Sequence, residues 1–125
     1  MMEKKGHNFR KLDIWKDSMT LVKEIYLFTE TFPNSEKFNL CSQIQRCSIS
    51  IPSNIAEGSG RGSEVEFIRF LKIAITSSYE LETQVILAGD LFSIKVNELL
   101  NRIQVIQLKI GGFIRKLKME TVVKS

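Results

Sequence analysis

The residue types that most often carry catalysis are scarce in this 125-residue chain, and their spacing is unfavourable. The one histidine, His7, lies near the N-terminus, so a Glu-x-x-His di-metal site cannot be built and a Ser-His nucleophile is unsupported. Cys41 and Cys47 are six residues apart and diverge on a helix, which is typical of reduced core cysteines. Glu80 and Glu82 are separated by about 200° around a helix, so they cannot act as a carboxylate pair. The sequence therefore predicts no enzyme, no metal site and no cofactor.

Basic residues concentrate at the two ends of the chain. The net charge is +4 at pH 7, with +3 in residues 1–11, +4 in residues 109–125 and −3 between them. This distribution fits a surface for an anionic partner, and it fits equally well a pair of solvated chain ends. The glycine-rich segment 58–62 is interpreted as a plain turn, because it follows a helix and because Glu64 and Glu66 would repel phosphate.

Apolar residues spaced by three and four delimit the helices that must position these charges. The predicted helices cover residues 14–32 after an Asp13 N-cap, 36–57, 64–91 and 97–118. Short connections between helices of this length predict an all-α fold, an antiparallel up-down-up-down four-helix bundle. Residues 1–11 are expected to form a flexible basic segment, residues 12–120 the bundle, and residues 121–125 a disordered tail.

Local signals refine the predicted helices. Ser63 followed by Glu66 matches the capping box, so the third helix should begin at Glu64. Pro52 inside the second helix predicts a kink there. The glycine pair 111–112 inside the fourth helix predicts either a bend or a second backbone packed against it, because each glycine costs about 1 kcal/mol relative to alanine.

The apolar faces of the third and fourth helices are wider than the interior of one bundle needs. Side stripes widen them, formed by Ile68, Ile75, Tyr79 and Ile86 on the third helix and by Leu100, Val105 and Leu108 on the fourth. Apolar strips of that length usually mark an interface, so the sequence predicts a homo-oligomer. The alternative is a scatter of single surface aliphatics, which are common.

A polar stripe follows the second helix. Its members are spaced by three and four residues and share one face: Arg46, Ser50, Asn54 and Glu57. Glu80 lies on the third helix, where a helical hairpin would bring it near Arg46, so an Arg46–Glu80 ion pair is expected. We interpret the stripe as an internal network that fixes helix register. A polar binding site is the interpretation that competes with it.

Residues 43–58, read as QIQRCSISIPSNIAEG, strongly resemble the hallmark of the four-helix-bundle intervening-sequence proteins. These are small bacterial proteins encoded by inserts within large-subunit ribosomal RNA genes and elsewhere in genomes. Three further segments are similar to the same family: residues 12–15, Phe32-Pro33 with Glu36, and residues 77–82. Position 45 departs from the family, which often carries two basic residues where this chain has Gln45-Arg46. The resemblance covers about residues 9–117.

The resemblance implies a four-helix bundle that assembles as a homopentamer and has no catalytic residues. A related protein, the accessory variability determinant of diversity-generating retroelements, is a basic pentamer that binds nucleic acid and a reverse transcriptase. By similarity, this protein is expected to be a scaffold associated with RNA or with a reverse transcriptase. The partners implied are therefore further copies of the chain, RNA and a reverse transcriptase.

Two classes of function stay open at this point. The first is an oligomer whose basic clusters bind RNA phosphates, with candidate contacts at Arg10, Lys11, Lys109, Arg115, Lys116 and Lys118. The second is a protein-interaction scaffold, or a reverse-transcriptase accessory protein, without RNA specificity of its own. No apolar run approaches the ~18 residues that span a bilayer, and no apolar segment of a secretory signal follows the N-terminus. The expected location is the cytoplasm.

Overall fold

The three- and four-residue spacing of apolar side chains folds the chain into four α-helices. The computed structural model describes residues 7–36 and 38–124, and within these ranges it contains no β-strand. The helices are α1 (Asp13–Thr29), α2 (Leu40–Ser59), α3 (Glu64–Phe92) and α4 (Asn97–Lys124). Short 3-10 turns cover Phe9–Lys11 and Asn34–Glu36. The all-helical class and the four predicted helices are confirmed.

The helices pack side by side around a shared apolar interior. Helix α2 contacts α1 and α3, while α4 contacts α3 and α1. The fully buried side chains come from all four helices and include Ile25, Ile51, Leu71, Leu81 and Ile110. Since each such side chain contributes roughly 1.5–3 kcal/mol when it leaves water, this interior is the main stabilising element of the fold.

The helix ends differ from the predicted ones by a few residues. Helix α1 begins at Asp13 itself, with Leu12 at the N-cap position and no side-chain cap. It ends at Thr29, and α2 begins only at Leu40, because the chain after Pro33 forms a 3-10 turn closed by Glu36 N–H donating to Pro33 O (2.9 Å). Helix α2 then continues to Ser59, beyond the predicted end at residue 57.

The signals at the start of α3 act as predicted. Ser63 Oγ accepts a hydrogen bond from the Glu66 backbone N–H (3.1 Å), which confirms the cap. Gly62 precedes it with a φ of +80°, a conformation that side-chain-bearing residues rarely adopt. At the other end, Ser93 takes the left-handed conformation and closes the helix, and the Ile94 N–H donates to Gly89 O (3.1 Å).

Helices α2 and α4 continue without interruption through their unfavourable residues. Pro52 lies buried within α2, which stays helical on both sides of it, so the kink stays a prediction. A Cβ at either Gly111 or Gly112 would meet only the Arg115 guanidinium, at 3.7 Å. A second backbone packed against this pair is therefore not found within the described part of the chain.

The two ends of the described chain contact or continue the helices. His7 N–H donates to Ser59 O (3.0 Å), and the His7 ring packs on Phe67 at a centroid distance of 4.9 Å, so residues 7–11 lie against the helices. Residues 1–6 of the predicted flexible segment lie outside the described residues. Helix α4 runs to Lys124, where a disordered tail from residue 121 is predicted, and Thr121 Oγ1 donates to Leu117 O (2.9 Å) in this last part. Ser125 also lies outside the described residues.

Candidate nucleic-acid interface

A ladder of charged pairs joins α1 to α4. Arg102 forms an ion pair with Glu24, and Lys109 Nζ donates to Asp17 Oδ2 at 2.6 Å. The residue number rises by seven on α4 while it falls by seven on α1, so the two pairs lie one step apart along the same seam. The hydrogen bond to Asp17 raises the pKa of Lys109, with a further contribution from the charge of Asp17.

Beyond the two pairs of this ladder, cations lie both on α4 and in the 3-10 turn that precedes α1. Seven residues beyond Lys109 is Lys116, and seven residues before Asp17 is Arg10, followed by Lys11. Lys11 and Lys116 are exposed, and neither has a carboxylate within ion-pair distance among residues 7–36 and 38–124. The seam thus ends in two lysines that form no ion pair with any residue of the described chain.

A groove of about 490 Å³ opens at this end of the seam. We call it the basic groove, and it is lined by Lys11, Leu12, Asp13, Ile14, Lys109, Gly112, Phe113 and Lys116. Three ammonium groups therefore surround one carboxylate, and Lys109 is already paired with Asp17. Lysine ammonium groups bind phosphate as point charges, so the groove suits the anionic backbone of a nucleic acid.

The aromatic rings beside the basic groove are committed to packing. Phe113 meets Phe67 at a centroid distance of 5.6 Å and His7 at 6.1 Å. Phe9 packs edge-on against Trp15 at 5.1 Å. Since these rings are occupied within the chain, the groove offers charge to a phosphate and no ready platform on which a base could stack.

The structure separates the six basic residues that the sequence singles out. Lys11, Lys109 and Lys116 line the basic groove. The Arg10 guanidinium lies over the Phe9 ring at 4.7 Å, next to the groove. Arg115 lies along the bare backbone of the glycine pair, one residue from Lys116. Lys118 is about 200° around α4 from Lys116, so it does not belong to this groove.

Part of the predicted polar stripe forms a network between α2 and α3. Ser50 and Ser77 share a hydrogen bond of 2.7 Å between their hydroxyl oxygens. Asn54 Nδ2 donates to Ser50 O (2.8 Å) and to Ser50 Oγ (3.0 Å). Cys47 Sγ donates to Ser77 O (3.1 Å). These bonds join the two helices through short polar side chains.

The expected Arg46–Glu80 ion pair does not form. Glu80 instead faces Cys47, where burial, followed by the charge and hydrogen bonding of Glu80, raises the pKa of the thiol to about 12. Arg46 lies on the α1 side of α2, in a cavity that it shares with Tyr26. The pair fails because Arg46 and Cys47 are one residue apart, and thus ~100° apart around the helix, so only one of them can meet Glu80. Glu57 pairs with Arg61 at 2.6 Å instead.

The charged pairs between α1 and α4 were not predicted from the sequence. Their signal is the seven-residue recurrence of cations on α4, at Arg102, Lys109 and Lys116, against Glu24 and Asp17 on α1. A matching recurrence of opposite charges on two predicted helices indicates facing positions, and on α1 the recurrence stops at Asp17 because the helix begins at Asp13. The charge distribution along the sequence indicates the basic residues at the two chain ends, but it does not indicate the α1–α4 seam beside which they lie.

Two classes of site receive no support in the described ranges. No group of three or more histidine, cysteine, aspartate or glutamate side chains comes together there as a metal site. Within the same ranges, no helix is both long enough and apolar enough to cross a bilayer.

Comparisons with known proteins agree with the motif in α2. Residues 10–112 match the model of a family described as 23S rRNA-intervening sequence protein. Among solved structures, the chain is similar to a protein of unknown function from the S23 ribosomal protein family of Bacteroides thetaiotaomicron. The two share 25% identity with a TM-score of 0.67, over 83% of this chain and 96% of that chain. No curated protein matches the chain.

Proposed function

The chain belongs to the 23S rRNA-intervening sequence protein family, as the motif at residues 43–58 predicts, and from this premise we propose that it is a non-enzymatic, RNA-associated scaffold. Its subunit is an antiparallel up-down-up-down bundle, and several copies, five by family resemblance, assemble in the cytoplasm. RNA phosphates bind in the basic groove of each copy. The single observation that supports RNA association is the basic end of the α1–α4 seam, where Lys11 and Lys116 form no ion pair within the described part of the chain.

Repetition of the groove compensates for its modest charge. One copy offers two lysines in the groove that form no ion pair within the described residues, with Arg10 and Arg115 beside it, and this alone supports weak binding. Several copies on one RNA bind through the effective concentration that the first contact creates, so avidity exceeds the affinity of any one groove. Because the contacts are to phosphates, we expect steep salt dependence and little sequence preference.

RNA titration tests the groove. A structured RNA is titrated against the wild type and against the double variant Lys11→Gln/Lys116→Gln at ~50 and ~200 mM salt. We expect the double variant to bind more weakly, with the slope of log K against log salt reduced by about one for each lost phosphate contact. The matched control is Lys72→Gln/Lys95→Gln, which removes two exposed charges away from the groove and should leave the slope unchanged. Absence of wild-type binding at ~50 mM salt contradicts the proposal and favours the protein-interaction scaffold or the reverse-transcriptase accessory protein.

Sedimentation velocity tests the assembly separately. Exposed apolar side chains on all four helices support self-association, among them Tyr26, Ile49, Tyr79, Ile86 and Leu108. We expect a single species of about five subunits at micromolar concentration, as the family resemblance implies. A stable monomer under these conditions contradicts the oligomeric part of the proposal.

A further inference from the structure

An unpaired arginine lies between two half-exposed apolar side chains on the α1–α2 side of the molecule. Arg46 lines a cavity of about 290 Å³ together with Tyr26, Ile49 and two polar residues. Tyr26 and Ile49 are each 41% exposed. Among residues 7–36 and 38–124, no carboxylate lies within ion-pair distance of Arg46. We call Tyr26, Arg46 and Ile49 the arginine face.

A glutamate with the reverse pattern lies on the α3–α4 side. Gln107 Nε2 donates to one Glu82 carboxylate oxygen at 2.9 Å, and Gln104 Nε2 donates to the other at 3.1 Å. These two bonds lower the pKa of Glu82, because they stabilise its ionised form. Tyr79 and Ile86 flank Glu82 along α3, and Tyr79 is 54% exposed. We call Tyr79, Glu82 and Ile86 the glutamate face.

The Glu82 carboxylate is held by two neutral amides instead of a cation. No lysine or arginine of the described chain lies within ion-pair distance of it. The two glutamine amides hold the carboxylate in a fixed direction, because both of its oxygens are engaged from α4. A fixed, charged acceptor between a tyrosine and an isoleucine is suited to receive a guanidinium, which binds carboxylates better than an ammonium does.

The two faces cannot meet within one chain. The arginine face is built on α1 and α2, the glutamate face is built on α3, and Glu82 is held there from α4. Helix α2 packs on α3, and α1 packs on α4, so these contacts separate the faces. Since each face carries the charge that the other lacks, a second copy of this chain supplies the complement of both.

We infer that the arginine face of one copy binds the glutamate face of the next copy, with an ion pair between Arg46 and Glu82. Tyr79 then enters the cavity beside Arg46, and Ile49 and Ile86 cover the rim. Such a joint is heterologous: every copy uses both faces, and repetition closes a ring when the rotation between copies allows it. The inference rests on the oligomer proposed above and specifies the surfaces that join it.

Charge reversal tests the joint. Arg46→Glu and Glu82→Arg each place like charges across the interface, and we expect each to weaken self-association about a hundredfold in sedimentation velocity. The double variant Arg46→Glu/Glu82→Arg restores opposite charges, and it should recover at least about tenfold of the loss. Lys95→Glu and Glu98→Arg are matched controls at exposed positions outside both faces, and they should assemble like the wild type.

The outcomes distinguish this inference from the oligomer itself. A monomeric wild type overturns both. An oligomeric wild type with two unaffected single variants, or with a double variant that recovers nothing, overturns the inference alone. Because Glu82→Arg also removes two hydrogen bonds to α4, circular dichroism accompanies each variant, and Ile49→Lys provides an independent break of the arginine face. Intact fold with wild-type association in Ile49→Lys and in Arg46→Glu also overturns the inference.

Discussion

Cys47 is expected to react with iodoacetamide at pH 8 about a thousandfold more slowly in the folded protein than in urea. Its thiol is buried and donates to Ser77 O, and burial together with Glu80 raises the pKa of the thiol to about 12. The reactive species is the thiolate, so its fraction at pH 8 falls from roughly a quarter for an ordinary cysteine to about one in ten thousand. Peptide mapping by mass spectrometry reads Cys47 separately from Cys41.

The Glu80→Gln variant tests the cause of this protection. The negative charge of Glu80 disfavours the Cys47 thiolate, so removing it should lower the pKa of Cys47 and make its alkylation faster. Burial remains, and therefore the rate stays below that of the unfolded chain. Glu98→Gln, an exposed carboxylate in the first turn of α4, is the control and should leave the rate unchanged. Equal rates in Glu80→Gln and the wild type would place Glu80 away from Cys47.

Only some of the contacts between α2 and α3 could be predicted from the sequence. Periodicity placed Ser50 and Asn54 on one stripe of α2, and the structure joins them to each other and Ser50 to Ser77 of α3 by hydrogen bonds. It could not decide whether Glu80 meets Arg46 or Cys47, because adjacent residues of one helix differ by ~100° in direction. That choice depends on the rotation of α2 about its own axis, which is set by packing along its whole length.

Helix boundaries could be predicted where neighbouring residues determine them, and not where distant packing does. The start of α3 was predictable because Ser63 and Glu66 form a cap from residues three apart. The start of α2 was not, since residues 34–36 carry helix-start signals and yet close a 3-10 turn after Pro33. Local capping chemistry can be read from one segment, whereas the length of a connection depends on the distance between the helices that it joins.

The basic groove depends both on the charge of the chain ends and on the register of the helices. Composition found positive charge at both ends of the chain, and it could not show that Lys11 and Lys116 face each other. Their meeting follows from the register of α4 on α1, which the pairs Arg102–Glu24 and Lys109–Asp17 record. Lys118, close to Lys116 in sequence, falls on another side of the helix for the same reason. A charge cluster in sequence becomes a site only where helix register brings its members to one side.

Substitution by alanine is expected to change the free energy of unfolding in opposite directions at Gly58 and at Gly112. An added Cβ at Gly58 would lie 2.6 Å from Phe70 Cβ and 2.9 Å from Phe67 Cδ1. Because Phe70 Cβ is attached directly to the α3 backbone, no rotamer change relieves the contact, and α2 must move away from α3. We expect Gly58→Ala to lower the free energy of unfolding by about 2 kcal/mol, the net of overpacking and improved helix propensity.

Gly112→Ala supplies the matched comparison within the same protein. A Cβ there meets only the flexible end of Arg115 at 3.7 Å, so the gain in helix propensity, up to about 1 kcal/mol, is unopposed. Urea denaturation of the two variants at equal protein concentration should place their midpoints on opposite sides of the wild type. If Gly58→Ala were as stable as Gly112→Ala, the close approach of α2 to α3 at Gly58 would be wrong. If instead Gly112→Ala were less stable than the wild type, another molecule would have to occupy the space beside Gly112 on α4. A loss of stability that disappears when the protein is diluted to the monomer would identify that molecule as a second copy of the chain.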